Sequence, residues 1–269
     1  MISKMYKFLT IVIFLLSASC TSKNKDSNVY VEFQTDFGNI IVKLYKETPK
    51  HKKNFLELSE KKFYDGLIFH RVIKDFVVQG GDPDTRNPIP GKLYGESDAG
   101  YLIDPEFCDT IIHKRGSIAM AREGDEVNPG KKSSSSQFYF VVGKVYTEEE
   151  LNKLEVKLNV KLKEKIEKKL FDSLLKDNSQ FDTKFLQNIT QLVQHKADSI
   201  FKFQKIKFSD FQRKTYTTIG GIPHLDGNYT VFGEVVEGYD VIENISKVET
   251  DNNDRPVTDV KMIVKVLKR

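Results

Sequence analysis

Between Phe69 and Pro83 the chain reads Phe-His-Arg-Val-Ile-Lys-Asp-Phe-Val-Val-Gln-Gly-Gly-Asp-Pro. Arg71 and Gln79 stand here among Val72, Ile73, Phe76, Val77 and Val78, where a half-buried polar side chain needs a hydrogen-bond partner. Either the fold supplies that partner or a ligand does. Arginine is a permanent cation with five fixed donors and no acceptor, so it can stabilise a developing lone pair but cannot shuttle a proton. Other chemistry is thin. The five histidines, at 51, 70, 113, 195 and 224, have no metal-ligand spacing. No Gly-x-Ser-x-Gly elbow or phosphate-cradling loop occurs, so hydrolase and nucleotide-binding readings fall away and no cofactor is called for.

The elements that must hold Arg71 and Gln79 are mostly strands. Val31 and Phe33, then Ile40, Val42 and Leu44, alternate across Thr35-Asp36-Phe37-Gly38 as a β-hairpin. Thr48-Pro49 reads as a capped helix start, with Phe55 and Leu58 on its buried face. Leu67–Arg71 and Phe76–Gln79 read as strands closed by the turn Gly80-Gly81-Asp82-Pro83. Residues 87–104, rich in Gly, Pro and Asp, form a long loop. Gly116–Ala121 and Gln137–Val142 are further strands. After Gly220–Gly227, a loop, Tyr229–Phe232 is a short strand. Val235-Val236-Glu237-Gly238 then reads as a turn into a helix from Tyr239, and Val257–Leu267 as the last strand.

The texture changes at Val145. Thr147 and Glu150 form a capping box, and Leu151, Leu154, Leu158, Leu162, Ile166, Leu170 and Leu174 recur at helical spacing to about Lys176. Phe185, Ile189, Leu192, Val193, Ala197 and Ile200 mark a second helix. An all-β domain, residues 29–144 and 216–269, is therefore split by a helical hairpin at 145–215. This insert carries 15 Lys/Arg against 11 Asp/Glu, so the whole formal net charge of +4 resides in it. That charge is too small to point to nucleic acid. A solvated face accounts for the lysines, and a protein partner at the insert is the sharper expectation.

Residues 1–19 read as a signal peptide: Lys4 and Lys7 precede the apolar run Phe8–Leu16, which is too short to span a bilayer. The small residues leading into Cys20 resemble a bacterial lipoprotein cleavage site, with Ser17 where leucine is usual. A lipidated Cys20 would begin the mature chain, residues 20–28 would be a polar tether, and the protein would sit on an envelope membrane facing the periplasm. Cys108 would then have no disulfide partner.

Phe69-His70-Arg71-Val72-Ile73 with Phe76, Gln79-Gly80-Gly81-Asp82, Gly116–Ala121, Ser136-Gln137-Phe138-Tyr139, Leu225-Asp226-Gly227 and Val231-Phe232-Gly233 together resemble the cyclophilin-type peptidyl-prolyl cis-trans isomerases. The resemblance covers 29–144 and 216–269. It implies a closed eight-stranded antiparallel barrel with two capping helices and a substrate groove on its outer face. It also implies an activity, the rotation of X–Pro bonds in polypeptide clients, with no cofactor. An amide rotates over a barrier of ~18–20 kcal/mol because of its partial double bond. Twisting restores the lone pair of the prolyl nitrogen, and a fixed donor lowers the barrier by binding that form more tightly.

By resemblance Arg71 is that donor and Gln79 orients it. Phe76, Val77, Tyr139 and Leu225 line the proline pocket. Ala121, Arg122 and Gln137 border the peptide's backbone, and Tyr229 stands where many relatives carry His. Three residues depart from the pattern: Val77 for Met, Tyr139 for Phe, and His224 for the Trp of many eukaryotic relatives. The first trims volume, the second adds a hydroxyl that needs a partner, and the third predicts weak cyclosporin binding. A proline-peptide chaperone with vestigial catalysis is the alternative from another class.

Overall fold

The structure is a computed structural model and describes residues 28–176 and 183–267, with side chains omitted at 176 and 183–187. The predicted signal peptide and Cys20 lie outside the described residues. No helix among the described residues is long and apolar enough to cross a membrane.

The described residues form ten strands: β1 (Val29–Thr35), β2 (Gly38–Leu44), β3 (Phe69–Ile73), β4 (Val77–Gly80), β5 (Leu102–Ile103), β6 (Ser117–Met120), β7 (Ser133–Ser134), β8 (Phe138–Val141), β9 (Val231–Glu237) and β10 (Met262–Leu267). Eight form one antiparallel sheet in the order β10-β1-β2-β9-β6-β8-β4-β3, and β5 pairs with β7 separately. The two ends of the large sheet meet at one place. Ile68 bridges Lys261, Met262 N donates to Leu67 O at 2.9 Å, and Phe69 N donates to Val260 O at 3.0 Å.

Alternation along each strand sorts side chains between two faces. Phe33, Phe69, Phe138, Phe140 and Phe232 point inward, joined by Phe55 and Tyr64, all fully buried. Their rings interlock at centroid separations from 4.9 Å (Phe55–Tyr64) to 6.4 Å (Phe69–Phe138), within the range where tilted aromatic pairs attract. Val77, Ala119, Tyr139, Val141 and Val231 point to the other face and form a second apolar cluster there. The strands Ser117–Met120 and Phe138–Val141 are buried on both sides, which is why they read as continuous apolar runs.

Two helices, α1 (Pro49–Glu60) and α5 (Tyr239–Ile245), pack on the barrel-side core through Phe55, Leu58, Val241, Ile242 and Ile245. Thr48 occupies the cap position of α1 as expected, but its hydroxyl makes no capping bond. Glu106 replaces it. Its carboxylate accepts from Lys50 N and His51 N, each at 3.0 Å, meeting the unpaired amides and positive dipole of the helix start.

The expected turn at Val235–Gly238 is instead strand. Val235 pairs with Val42 and Glu237 with Ile41 across a bulge, as suits β-branched residues on a pleated surface. The chain turns only at Gly238, whose left-handed φ of 81° starts α5. A Cβ there would lie 2.2 Å from Asn39 O, so only glycine fits.

The insertion holds α2 (Glu148–Lys176), α3 (Thr183–Gln204) and a helix the sequence reading did not separate, α4 (Asp210–Thr218), which crosses the expected boundary at 215 and belongs to the insertion as a whole. The Thr147–Glu150 capping box is present, with Glu150 N donating to Thr147 Oγ1 at 3.1 Å and Thr147 N to Glu150 Oε2 at 2.8 Å. Ser209 and Gln212 make another at α4. Leu151 of α2, Phe208 and Tyr216 bury against Ile112 of the β domain, so the insertion is seated by its own small apolar core.

Candidate active site

Arg71 and Gln79 are register partners on β3 and β4, Gln79 faces Tyr139 on β8, and Tyr139 faces Ala119 on β6. Register partners share a face, so these four side chains form one row across the outside of the sheet. β4 ends at Gly80-Gly81. Gly81 has φ of 97°, and a Cβ on it would strike Ser136 O at 2.2 Å. Close approach of that turn to Ser136 brings Gln137 beside Gln79.

A hydrogen-bond chain then orients the polar groups. Gln137 Nε2 donates to Ser97 O at 2.8 Å, and a carbonyl can only accept, which leaves Gln137 Oε1 to take the proton of Gln79 Nε2 at 3.2 Å. Gln79 Oε1 thereby faces Arg71 and accepts from its Nη1 at 3.3 Å. Arg71 also approaches Asp254, Nε to Oδ2 at 3.8 Å, and lies 5.9 Å above the Phe76 ring. Among the described residues only one of its N–H groups has a hydrogen-bond acceptor within the chain, so the guanidinium is held in place with donors to spare.

Beside it is a cavity of about 150 Å³ lined by Arg71, Phe76, Val77, Gln79, Ala121, Arg122, Tyr139, Leu225 and Tyr229. Pockets for drug-sized ligands run to ~300–1,000 Å³, so this one suits a single ring. A larger cleft of about 340 Å³ between Lys43, Tyr45, Lys114 and Glu234 has no arginine in its lining, and its Lys114 is paired with Glu234 at 2.7 Å. Volume does not select the site; an unmet directional donor beside an apolar wall does.

Nine of the eleven peptide-site residues expected from the sequence line this cavity. Gln137 lies in the adjoining cleft with Gly95, Asp98 and Ser134. His224 sits just outside, its ring parallel to Phe76 with centroids 6.1 Å apart; burial, with His113 nearby, holds its pKa below the usual imidazole value. Each of the three guanidinium nitrogens of Arg122 donates, to Asn228 O, Glu123 O and Asp125 Oδ1 at 2.6–2.7 Å, while the group covers the Tyr229 ring at 4.6 Å. Its charge is therefore structural, and the cavity sees mainly its edge.

The Tyr139 hydroxyl does have a partner. It lies 3.1 Å from His113 Nε2, and His113 Nδ1 lies 2.9 Å from Asp226 Oδ1. Burial pushes the Tyr139 phenol well above its ordinary pKa, so it remains a donor. Sequence reasoning missed His113 and Asp254 and took Asp226 only as part of a motif. The added hydroxyl at Tyr139 was the one signal that a polar partner had to be nearby.

With the geometry in place, the similarity to known proteins can be read. The sequence profile of the cyclophilin-type peptidyl-prolyl cis-trans isomerase family matches residues 30–166 and 178–266. The chain belongs to that family. It is an isomerase by that membership, and relatives carry the same designation. A Staphylococcus epidermidis protein provisionally named a peptidyl-prolyl cis-trans isomerase is 29% identical over 237 residues, covering 88% of this chain and 90% of the relative. The Schizosaccharomyces pombe peptidyl-prolyl cis-trans isomerase ppi1 is 27% identical over 235 residues, 87% and 95% of the two chains. A crystal structure of a Cryptosporidium parvum cyclophilin superposes with a TM-score of 0.52 at 21% identity, over 90% of this chain and 99% of the other. That likeness confirms the cyclophilin fold.

Proposed function

We propose that this cyclophilin accelerates rotation about X–Pro bonds in extended segments of envelope polypeptides, without covalent chemistry. The observation that carries the reading is the Arg71 guanidinium, fixed by Gln79 beside a ring-sized apolar cavity. The proline ring occupies the cavity against Phe76, Val77, Tyr139 and Leu225. As the amide twists, its nitrogen regains a lone pair and Arg71 donates to it, an interaction absent from the planar ground state and therefore catalytic. Ala121 and Gln137 hold the flanking backbone.

The test is cis/trans exchange of an Ala-Pro tetrapeptide followed by NMR. Wild type accelerates exchange, and Arg71→Ala lowers kcat/KM by about 10²–10³-fold, the scale for losing one preorganised donor. Its melting temperature stays within a few degrees, because the residue's ion pair with Asp254 is a long one at the surface. A wild type that leaves exchange at the uncatalysed rate overturns the reading.

The location rests on the sequence alone: a short apolar leader and Cys20 after small residues support a lipid anchor on an envelope membrane facing the periplasm. Cys20→Ser is expected to abolish metabolic labelling by a fatty-acid analogue and release the protein from the membrane fraction. A second, chaperone-like role is favoured by apolar side chains exposed on the insertion, Val156 and Val160 on α2 and Phe203 at the end of α3. Arg71→Ala separates the two: it would still suppress aggregation of an unfolded client if the insertion does that work. The insertion is also where a protein partner would dock.

A further inference from the structure

We infer that α4 of the insertion is part of the scaffold that positions the proline pocket, with Gln212 and Tyr216 as positioning residues acting through Asp226, His113 and Tyr139. The inference rests on the proposed isomerase site and assigns that site a dependence on residues outside the β domain.

The Asp226 carboxylate has about four acceptor positions, and four donors meet it. Oδ1 accepts from the His113 backbone N–H and lies against His113 Nδ1, each at 2.9 Å. Oδ2 accepts from Tyr216 Oη at 2.6 Å and from Gln212 Nε2 at 2.9 Å. The last two come from α4, so half of the carboxylate's coordination is supplied by the insertion. An ionised carboxylate only accepts, which places the proton of His113 on Nδ1 and leaves Nε2 as the acceptor for the Tyr139 hydroxyl. Every link therefore has a fixed donor: α4 donates to Asp226 from one side, and Tyr139 donates through His113 to the same carboxylate from the other.

The same aspartate follows Leu225, a wall of the cavity, and His224, which stacks on Phe76. A rotation of Asp226 would thus disturb floor and wall together. The far end is rigid. Tyr216 is fully buried against Ile112, Leu151 and Phe208, and Gln212 is clamped by Ser209, whose N–H donates to Gln212 Oε1 at 3.0 Å. That clamp points the Gln212 amide nitrogen outward, at Asp226.

The test uses the full chain, the Ala-Pro tetrapeptide, and three variants. Tyr216→Phe removes only the hydroxyl. Gln212→Glu keeps the capping box at α4, where glutamate is a usual member, but sets a second carboxylate against Asp226. Ile166→Ala loosens the α2–α3 packing of the insertion, away from Tyr216, and leaves the chain of hydrogen bonds intact. The first two should lower kcat/KM by about 5- to 30-fold, the loss of one hydrogen bond to a charged group, mainly through KM because Arg71 is untouched. The Gln212→Glu defect should shrink as pH falls toward 5, where one of two facing carboxylates takes a proton. Ile166→Ala should lower the melting temperature with kcat/KM within twofold of wild type.

The inference is overturned if Tyr216→Phe and Gln212→Glu both stay within twofold at every pH, or if Ile166→Ala loses activity as they do. If wild type itself fails to catalyse exchange, the isomerase reading falls and the coupling is judged by peptide titration and the His113 ring ¹⁵N shifts. Tyr216→Phe should then still weaken peptide binding and move those shifts, and unchanged values overturn the coupling.

Discussion

In the proposed mechanism Arg71 donates in one direction because its neighbours settle that direction. The Ser97–Gln137–Gln79 chain fixes which amide atom faces it. His70, one residue away, shows the opposite treatment. It is buried, both ring nitrogens lack hydrogen-bond partners among the described residues, and burial lowers its pKa from 6.5 to about 4. The folded state refuses a proton that the unfolded chain accepts. Stability is therefore fully present above pH 6.5 and is lost as pH falls toward 4, by up to about 3 kcal/mol from this residue. His51, lowered chiefly by burial, adds in the same sense. Urea unfolding at pH 7 and pH 4.5 measures this: in His70→Leu the gap between the two stabilities should narrow by roughly 2–3 kcal/mol. A gap equal to that of wild type would mean His70 does not resist protonation.

At the scale of elements, α1 depends on a distant loop for its start. Glu106 accepts two α1 amides and approaches the buried His51 Nδ1 at 2.6 Å, while His51 Nε2 reaches Ser133 Oγ at 2.9 Å. Glu106→Ala removes a cap, a favourable charge at the helix N-terminus and a partner of a buried ring. It should cost about 2–3 kcal/mol in denaturant unfolding. A loss below ~0.5 kcal/mol, the scale of an ordinary surface change, would return the capping role to solvent. α4 illustrates the same rule in the insertion, since its capping box both starts the helix and aims Gln212 at Asp226.

For the whole molecule, two kinds of contact seat the insertion on the β domain. Lys165 pairs with Asp125 and Lys168 with Glu126, linking α2 to the loop after Arg122, but these groups are largely exposed and such pairs contribute little. The fully buried Leu151, with Phe208 and Tyr216 against Ile112, should dominate. Leu151→Ala should therefore lower stability by about 2–5 kcal/mol and expose the α2–α4 region to limited proteolysis, whereas Lys165→Ala should cost under ~1 kcal/mol. If Lys165→Ala were the more damaging, the ion pairs would be the true seat.

The sequence by itself determined the parts whose signal is local. Alternation at Val31–Leu44 specified the first hairpin, leucine spacing specified α2, and the blocks around Arg71, Gln79, Tyr139 and Leu225 marked the pocket before any coordinates. A two-residue period says which face a side chain takes, while the pairing of Arg71 with Gln79 came from the resemblance to the family motif. Tertiary structure alone decided which polar group meets which. Glu106 caps a helix some 55 positions earlier in the chain, and Asp226 lies 113 from His113. No periodicity encodes such pairings, because they depend on how the sheet curves and where loops return. The same holds for Val235–Glu237, whose β-branched residues became strand only because β2 lies alongside. It holds most for α4. Its link to the pocket floor exists because a carboxylate can accept about four donors and α4 supplies two of the four that meet Asp226.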